Sequence, residues 1–101
     1  MLVRIVKMNF RNEAIEDFKK FFETRKATIR SFEGCEHLQL WQDSTQANIF
    51  FTYSLWQNED ALLHYRNSSF FRDTWMQTKQ LFADKAEAWS LYQSIVMEKC
   101  I

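Results

Sequence analysis

The sequence predicts an α+β fold in which helices cover an antiparallel sheet, with the element order β-α-β-β-α-α-β. Two observations lead to this prediction. Segments that alternate with a period of two residues, such as 49–56, follow segments whose apolar residues recur at helical spacing, such as 12–32. The turn signals are also few, because Gly34 is the only glycine and there is no proline. A chain of 101 residues is expected to form one domain, residues 1–101.

The first element is predicted to be a strand at residues 2–10, "LVRIVKMNF". Its apolar side chains fall on both faces, which is typical of a strand that is buried on both sides. A long helix follows, with Asn12 as its predicted N-cap. Its apolar residues recur at helical spacing through Phe32, and acidic residues lie near its start while basic residues lie near its end.

Gly34 is expected to end this helix, since glycine adopts the left-handed conformation that caps a helix and reverses the chain. The next strand, residues 36–43, places two leucines on one face and a polar and aromatic set on the other: His37, Gln39 and Trp41. The polar segment 43–48 is predicted to be a hairpin connection. It leads into the strand 49–56, "IFFTYSLW", whose alternation is the clearest in the chain.

Two short helices are predicted next, one capped by Asn58 and one capped by Ser68. The stripe of the later helix is expected to run from Phe71 through Trp75 to Phe82. Residues 86–96 would continue a helix by propensity, but their aromatic and branched residues also suit a last strand, which is the prediction made here.

Strands and helices in this order close into a ferredoxin-like sheet with helices on one face. The other face would then be bare, yet the strands carry few charges, and 47% of all residues are hydrophobic and 17% aromatic. We therefore expect a second copy of the chain to cover that face, giving a homodimer that meets sheet to sheet.

The charge balance excludes some classes of partner. Thirteen basic residues offset thirteen acidic residues, so neither nucleic acid nor an anionic membrane is an expected partner. The strand 49–56 also has neither the glycine nor the basic residue of an RNA-recognition motif. Arg4 and Lys7 interrupt the apolar N-terminus, so no signal peptide is expected and a cytoplasmic location is predicted. Cys35 and Cys100 are expected to be unpaired, reduced thiols.

Candidate site residues come from the predicted helical faces and the sheet. Tyr65 and Trp75 lie on the faces expected to look toward the sheet, where they either line a ligand pocket or act as ordinary core aromatics. Thr52 and Ser54 share a strand face and either hydrogen-bond a phenol or reflect strand propensity alone. Histidine is the side chain whose unperturbed pKa suits proton transfer near neutrality, so His37 and His64 are the candidate catalytic residues.

Other kinds of site are not expected. Two histidines without a nearby carboxylate cluster do not make a metal site. The sequence also contains no cofactor-binding motif, so no metal and no cofactor are predicted.

Three segments carry a resemblance to a known family: "FEGC" after the first helix, "TYSLWQNEDALLHYRNSSFF" at 52–71, and "KAEAWS" at 85–90. From about Met1 to Gln93 the chain resembles the antibiotic biosynthesis monooxygenase family, whose members are small dimeric α+β barrels. The resemblance implies a pocket between the sheet and the helices. Trp56 matches the family's tryptophan, and it either lines the pocket or anchors packing at the end of its strand. Thr52 and Leu62 are nearest to the other pocket positions of the family.

Some members of this family insert oxygen into polycyclic phenols without metal or flavin, because an electron-rich anion can itself pass an electron to dioxygen. The resemblance therefore implies a cofactor-independent monooxygenase that acts on a hydrophobic aromatic small molecule. The alternative is a non-catalytic dimer of the same fold that binds a small molecule or a partner. Haem degradation is disfavoured, because Tyr65 stands where the haem-degrading members have tryptophan and no axial ligand for iron is evident.

Overall fold

The computed structural model describes residues 1–97 and confirms the predicted α+β fold and element order. The four strands are β1 (Leu2–Asn9), β2 (Cys35–Gln42), β3 (Ile49–Trp56) and β4 (Glu87–Tyr92). The three α-helices are α1 (Ile15–Ser31), α2 (Glu59–Arg66) and α3 (Ser69–Lys79).

The strands form one antiparallel sheet in the order β2-β3-β1-β4. The register places Arg4 of β1 between Ser54 of β3 and Ser90 of β4, and it aligns Leu2 with Trp56 in the same way. Because side chains alternate across a strand, these residues share the face of the sheet that packs against the helices. We call the opposite face the outer face.

Three of the predicted turning points are confirmed. Gly34 has a φ of 84°, the left-handed conformation expected after the first helix. The side-chain oxygen of Asn58 accepts a hydrogen bond from the backbone N–H of Ala61 at 2.9 Å, and so caps α2. Ser68 caps α3 in the same way, through the N–H of Phe71 at 3.1 Å.

Other local predictions were wrong. Asn12 is not a side-chain cap: residues Asn12–Ala14 form a 3-10 turn, and α1 begins at Ile15 without a side-chain hydrogen bond at its N-terminus. Phe82 does not continue α3. The helix ends at Lys79 because the chain returns to the sheet, where Phe82 forms a β-bridge with Phe10 and their rings lie 5.3 Å apart.

The last element is a strand, as predicted, but it is shorter than residues 86–96. Tyr92 pairs with Leu2, the first residue of β1, so the neighbouring strand offers almost no backbone beyond that point. Ile95 and Val96, expected to lie in the strand, are 84% and 65% exposed.

The core between the sheet and the helices consists of two apolar clusters. The first contains Trp56 and Tyr65 together with Leu2, Ile29, Cys35 and Leu62. The second contains Met8, Phe10, Phe18 and Phe50. On the outer face, by contrast, Trp41 and Trp89 remain 43% and 41% exposed, because no described part of the chain covers it.

Candidate functional site

A cavity of about 350 Å³ lies between the helix-facing side of the sheet and the three helices. Residues of both core clusters line it, and most of its wall is apolar: Val6, Phe18, Phe22, Leu38, Leu62 and Phe71. The volume is within the range of small-molecule sites, which are commonly apolar with a few polar groups that orient the ligand. The cavity is therefore the candidate site of this protein.

A continuous series of aromatic rings forms one wall of the cavity. The ring of Trp56 stacks on that of Tyr65, with centroids 5.1 Å apart and planes inclined by 24°. Tyr65 meets Phe71 edge to face at 5.1 Å, and Phe71 stacks on Trp75 at 6.0 Å. Three residues predicted from the sequence, one on β3 and two on different helices, are thus brought together around one space.

The strand β3 contributes two hydroxyl groups to the cavity wall, those of Thr52 and Ser54. The Ser54 hydroxyl is engaged, since it accepts a hydrogen bond of 2.9 Å from the indole N–H of Trp56. This bond fixes the orientation of the indole ring. No described residue forms a side-chain hydrogen bond with Thr52, so its hydroxyl is available to a ligand.

Tyr65 is the central phenol of the cavity, with 9% of its surface exposed. Burial raises its pKa, and the nearby thiol of Cys35 acts in the same direction. Tyr65 therefore stays protonated at neutral pH and can donate a hydrogen bond, but it is not a ready proton acceptor. Its hydroxyl makes no hydrogen bond to another residue among those described.

Two arginines also line the cavity, Arg4 on β1 and Arg66 at the end of α2. Neither was predicted from the sequence to be a site residue. The Arg4 Nη1 donates a hydrogen bond of 2.9 Å to the hydroxyl of Ser90. Burial, and then the neighbouring charge of Arg66, lower the pKa of Arg4. A sequence signal existed, since Arg4 is in phase with Leu2 and Val6, but it was interpreted only as an interruption of an apolar segment.

The two candidate catalytic histidines lie outside the cavity. His37 is on the outer face, in a shallow depression with Trp41 and Tyr53, and its ring centroid is 5.9 Å from that of Tyr53. His64 is exposed on α2, with its ring 6.4 Å from that of Phe32. No Asp, Glu, Lys or His is among the described residues that line the cavity, so its polar side-chain groups are hydroxyls, guanidiniums and the indole N–H groups of Trp56 and Trp75.

Cys35 is a free, buried thiol of the first core cluster, and burial is the main cause that raises its pKa. The prediction for Cys100 lies outside the described residues. Within residues 1–97, no three His, Cys, Asp or Glu side chains are grouped so that they could hold a metal ion. None of the described helices is long and apolar enough to cross a membrane.

A sequence model of the antibiotic biosynthesis monooxygenase family matches residues 1–75, which include β1 to β3 and most of the cavity wall. No curated protein matches the chain in sequence.

Solved structures share the fold at low sequence identity. One described as an antibiotic biosynthesis monooxygenase has a TM-score of 0.88 and 16% identity, covering 94% of this chain and all of that chain. A conserved protein from Methanosarcina mazei Go1 has a TM-score of 0.87 and 17% identity, covering 93% and 94%. A variant of SnoaB, a cofactor-independent oxygenase from Streptomyces nogalater, has a TM-score of 0.86 and 13% identity, covering 97% of each chain.

Proposed function

Because the chain belongs to the antibiotic biosynthesis monooxygenase family, we propose that it is a cofactor-independent monooxygenase for a hydrophobic aromatic small molecule. The observation that carries this proposal is the cavity of about 350 Å³ with the aromatic series from Trp56 to Trp75 along its wall. Such a wall favours flat, electron-rich ligands, because aromatic rings gain from stacked and edge-to-face contacts beyond the area they bury.

The proposed reaction converts an activated methylene group, flanked by phenolic rings as in an anthrone, into a ketone. The substrate first loses a proton, and the resulting carbanion or phenolate passes an electron to dioxygen. One oxygen atom forms the new carbonyl group and the other leaves as water with the two hydrogens of the methylene group. The substrate supplies all the electrons, so the protein has only to orient the anion and to exclude water.

The side chains of the cavity divide these tasks between them. Trp56 and Trp75 hold the rings of the substrate, and the Ser54 bond keeps the Trp56 indole in place. Thr52 and the protonated Tyr65 donate hydrogen bonds to substrate oxygens. Since the described cavity wall contains no carboxylate or imidazole, the substrate proton passes to water. The rate should therefore rise with pH as the substrate itself ionises.

A second candidate function is a non-catalytic binding protein of the same fold. The observation that favours it is the same lack of a proton acceptor in the described cavity wall. In this case the aromatic wall would hold a ligand without any chemical change to it.

The test is oxygen uptake with 1,8-dihydroxyanthrone and a panel of hydroquinones, followed in parallel with quenching of tryptophan fluorescence. Because anthrones oxidise slowly in air, the matched blank is the Ala88→Phe variant, which places a ring at the cavity wall near Val6. Uptake above this blank, with one ketone formed per dioxygen, supports the enzyme. Saturable quenching without uptake supports the binding protein, and neither signal would contradict both.

We also propose that two chains associate through their outer faces. This proposal is supported by the half-exposed Trp41, Trp89 and Leu91 on that face, the last of them 49% exposed. Association would cover this apolar surface and the depression that holds His37. Sedimentation of the purified protein at micromolar concentration tests it, and a single-chain mass would contradict it.

A further inference from the structure

Arg4 and Arg66 are the charged residues of the described cavity lining. Arg4 rises from the middle of the sheet, flanked in register by the short side chains of Ser54 and Ser90. Arg66 comes from the last turn of α2, is exposed to solvent, and so stands where the cavity opens. The lowered pKa of Arg4 agrees with this placement, since the charge of Arg66 contributes to it. Two positive charges from different elements thus converge on one apolar space.

Neither guanidinium has a carboxylate partner among the described residues. Elsewhere in the chain Arg11 lies 3.0 Å from Glu13, and Arg25 lies 3.0 Å from Asp73. A guanidinium has five N–H donors, yet Arg4 makes a single side-chain hydrogen bond, to the neutral hydroxyl of Ser90. Donors of Arg4 are therefore available on the cavity side of the sheet.

The structural explanations for these residues are incomplete. A cation at the end of α2 interacts favourably with the helix dipole, which accounts for the position of Arg66. It does not account for Arg4, whose half-buried guanidinium gives up part of its hydration without a carboxylate partner. An apolar side chain at position 4 would continue the helix-facing row of Leu2 and Val6 without that cost. The arrangement lacks a negative charge, and a ligand can provide it.

We infer that Arg4 and Arg66 form an anion subsite, and that the aromatic ligand of the cavity carries an acidic oxygen group that these guanidiniums bind. The inference rests on the proposed function, in that it takes the cavity to be a site for an aromatic ligand. The acidic group is either a carboxylate or the phenolate of the ring system. For a phenol, binding as the anion also lowers the pKa of the ligand, which provides the ionised form that reacts with dioxygen.

Binding is measured with three two-ring probes of the same size. 2-Naphthoate carries a carboxylate, 2-naphthamide is its neutral counterpart, and 2-naphthol reports the phenolate through the red-shifted absorption of its anion. The variants are Arg4→Gln and Arg66→Gln. Arg66 lies at the surface, so Arg66→Gln should fold normally and still tests the inference if Arg4→Gln is destabilised. Arg72→Gln is the matched control, because it removes an exposed arginine of α3 that bonds the Asn67 carbonyl oxygen and does not line the cavity.

The wild-type protein is expected to bind naphthoate more tightly than naphthamide, or to bind naphthol as its anion at neutral pH. Each of the two cavity variants should lower the affinity for the favoured anion by about 10- to 100-fold, the effect of removing a charged hydrogen bond. The same variants should leave the affinity for naphthamide unchanged, and Arg72→Gln should leave the affinities for all three probes unchanged. A preference for naphthoate would identify a carboxylate as the acidic group of the ligand, and binding of naphthol as its anion would identify a phenolate.

Three results would overturn the inference in different ways. If naphthamide binds as tightly as naphthoate and naphthol stays neutral when bound, the anion subsite is refuted while the aromatic cavity stands. If none of the probes binds, both the subsite and the proposed aromatic site are contradicted. A loss that Arg72→Gln reproduces would also refute the subsite, because it would reflect net charge alone.

Discussion

Gly34 lies at the point where the first helix turns into β2, and replacing it by alanine should be costly for two separable reasons. Its φ of 84° is a conformation that side chains with a Cβ rarely adopt. A Cβ built on Gly34 would also collide with the Cβ of Ala61 on α2, the helix that carries Tyr65 and Arg66 to the cavity. The substitution therefore strains the backbone and pushes α2 away from the sheet.

The two costs can be estimated separately. The left-handed conformation costs about 1–2 kcal/mol for a residue with a Cβ. Forcing a methyl group into a packed contact costs about 1–3 kcal/mol. Gly34→Ala should thus lower the free energy of unfolding by about 2–5 kcal/mol. Ala61→Gly alone should cost about 1 kcal/mol through helix propensity. In the double variant the collision is gone, so its cost should be smaller than the sum of the two by about 1–3 kcal/mol.

Urea unfolding of the wild type, both single variants and the double variant measures these values, provided that the m-value stays constant. Binding of 2-naphthamide provides a second measurement. Displacement of α2 in Gly34→Ala should lower the affinity for this probe, and the return of α2 to its position in the double variant should restore that affinity. Strictly additive costs would refute the collision with Ala61. A cost below about 1 kcal/mol for Gly34→Ala would refute the backbone strain as well.

Three further predictions test the site and the outer face. Because burial raises the pKa of Tyr65, the folded state holds its phenolic proton more tightly than the unfolded state, so stability should fall as pH rises above about 10. Tyr65→Phe should remove about 1.4 kcal/mol of this loss at pH 11, measured by urea unfolding at pH 8 and 11. Ala88→Phe should abolish probe binding in fluorescence titrations while circular dichroism stays unchanged. Trp89→Glu should shift the sedimenting species toward a single chain, whereas Leu63→Glu, on the exposed side of α2, should not.

The sequence predicted those parts of the fold whose signals are local. The strand Ile49–Trp56 was predicted with its observed bounds because its alternation is uninterrupted, and the caps Asn58 and Ser68 were recognised from residue type alone. The ends of α3 and β4 were not, since they depend on partners far along the chain. Phe82 leaves the helix to pair with Phe10, and β4 stops where β1 begins.

The candidate site shows the same division. Tyr65 and Trp75 could be predicted because large aromatics on inward helical faces are visible in the pattern, whereas Trp56 was selected through the family resemblance. His37 was placed correctly on the strand face opposite the leucines, but no local pattern says which face the helices cover. Arg4 was not predicted to be a site residue. By the inference above, the negative charge that balances it belongs to a ligand, so the sequence pattern gives no reason for an inward charge.

The cavity between the two core clusters has a consequence for thermal stability. A compound that fills it would join Trp56 and Phe18 into one continuous interior, and would bind the folded chain while leaving the unfolded chain untouched. At a free concentration one hundred times its dissociation constant, such a compound adds about 2.7 kcal/mol to the stability. In a domain of this length each kcal/mol raises the melting temperature by roughly 4–8 °C. Thermal denaturation can thus rank compounds from a library before any turnover has been detected.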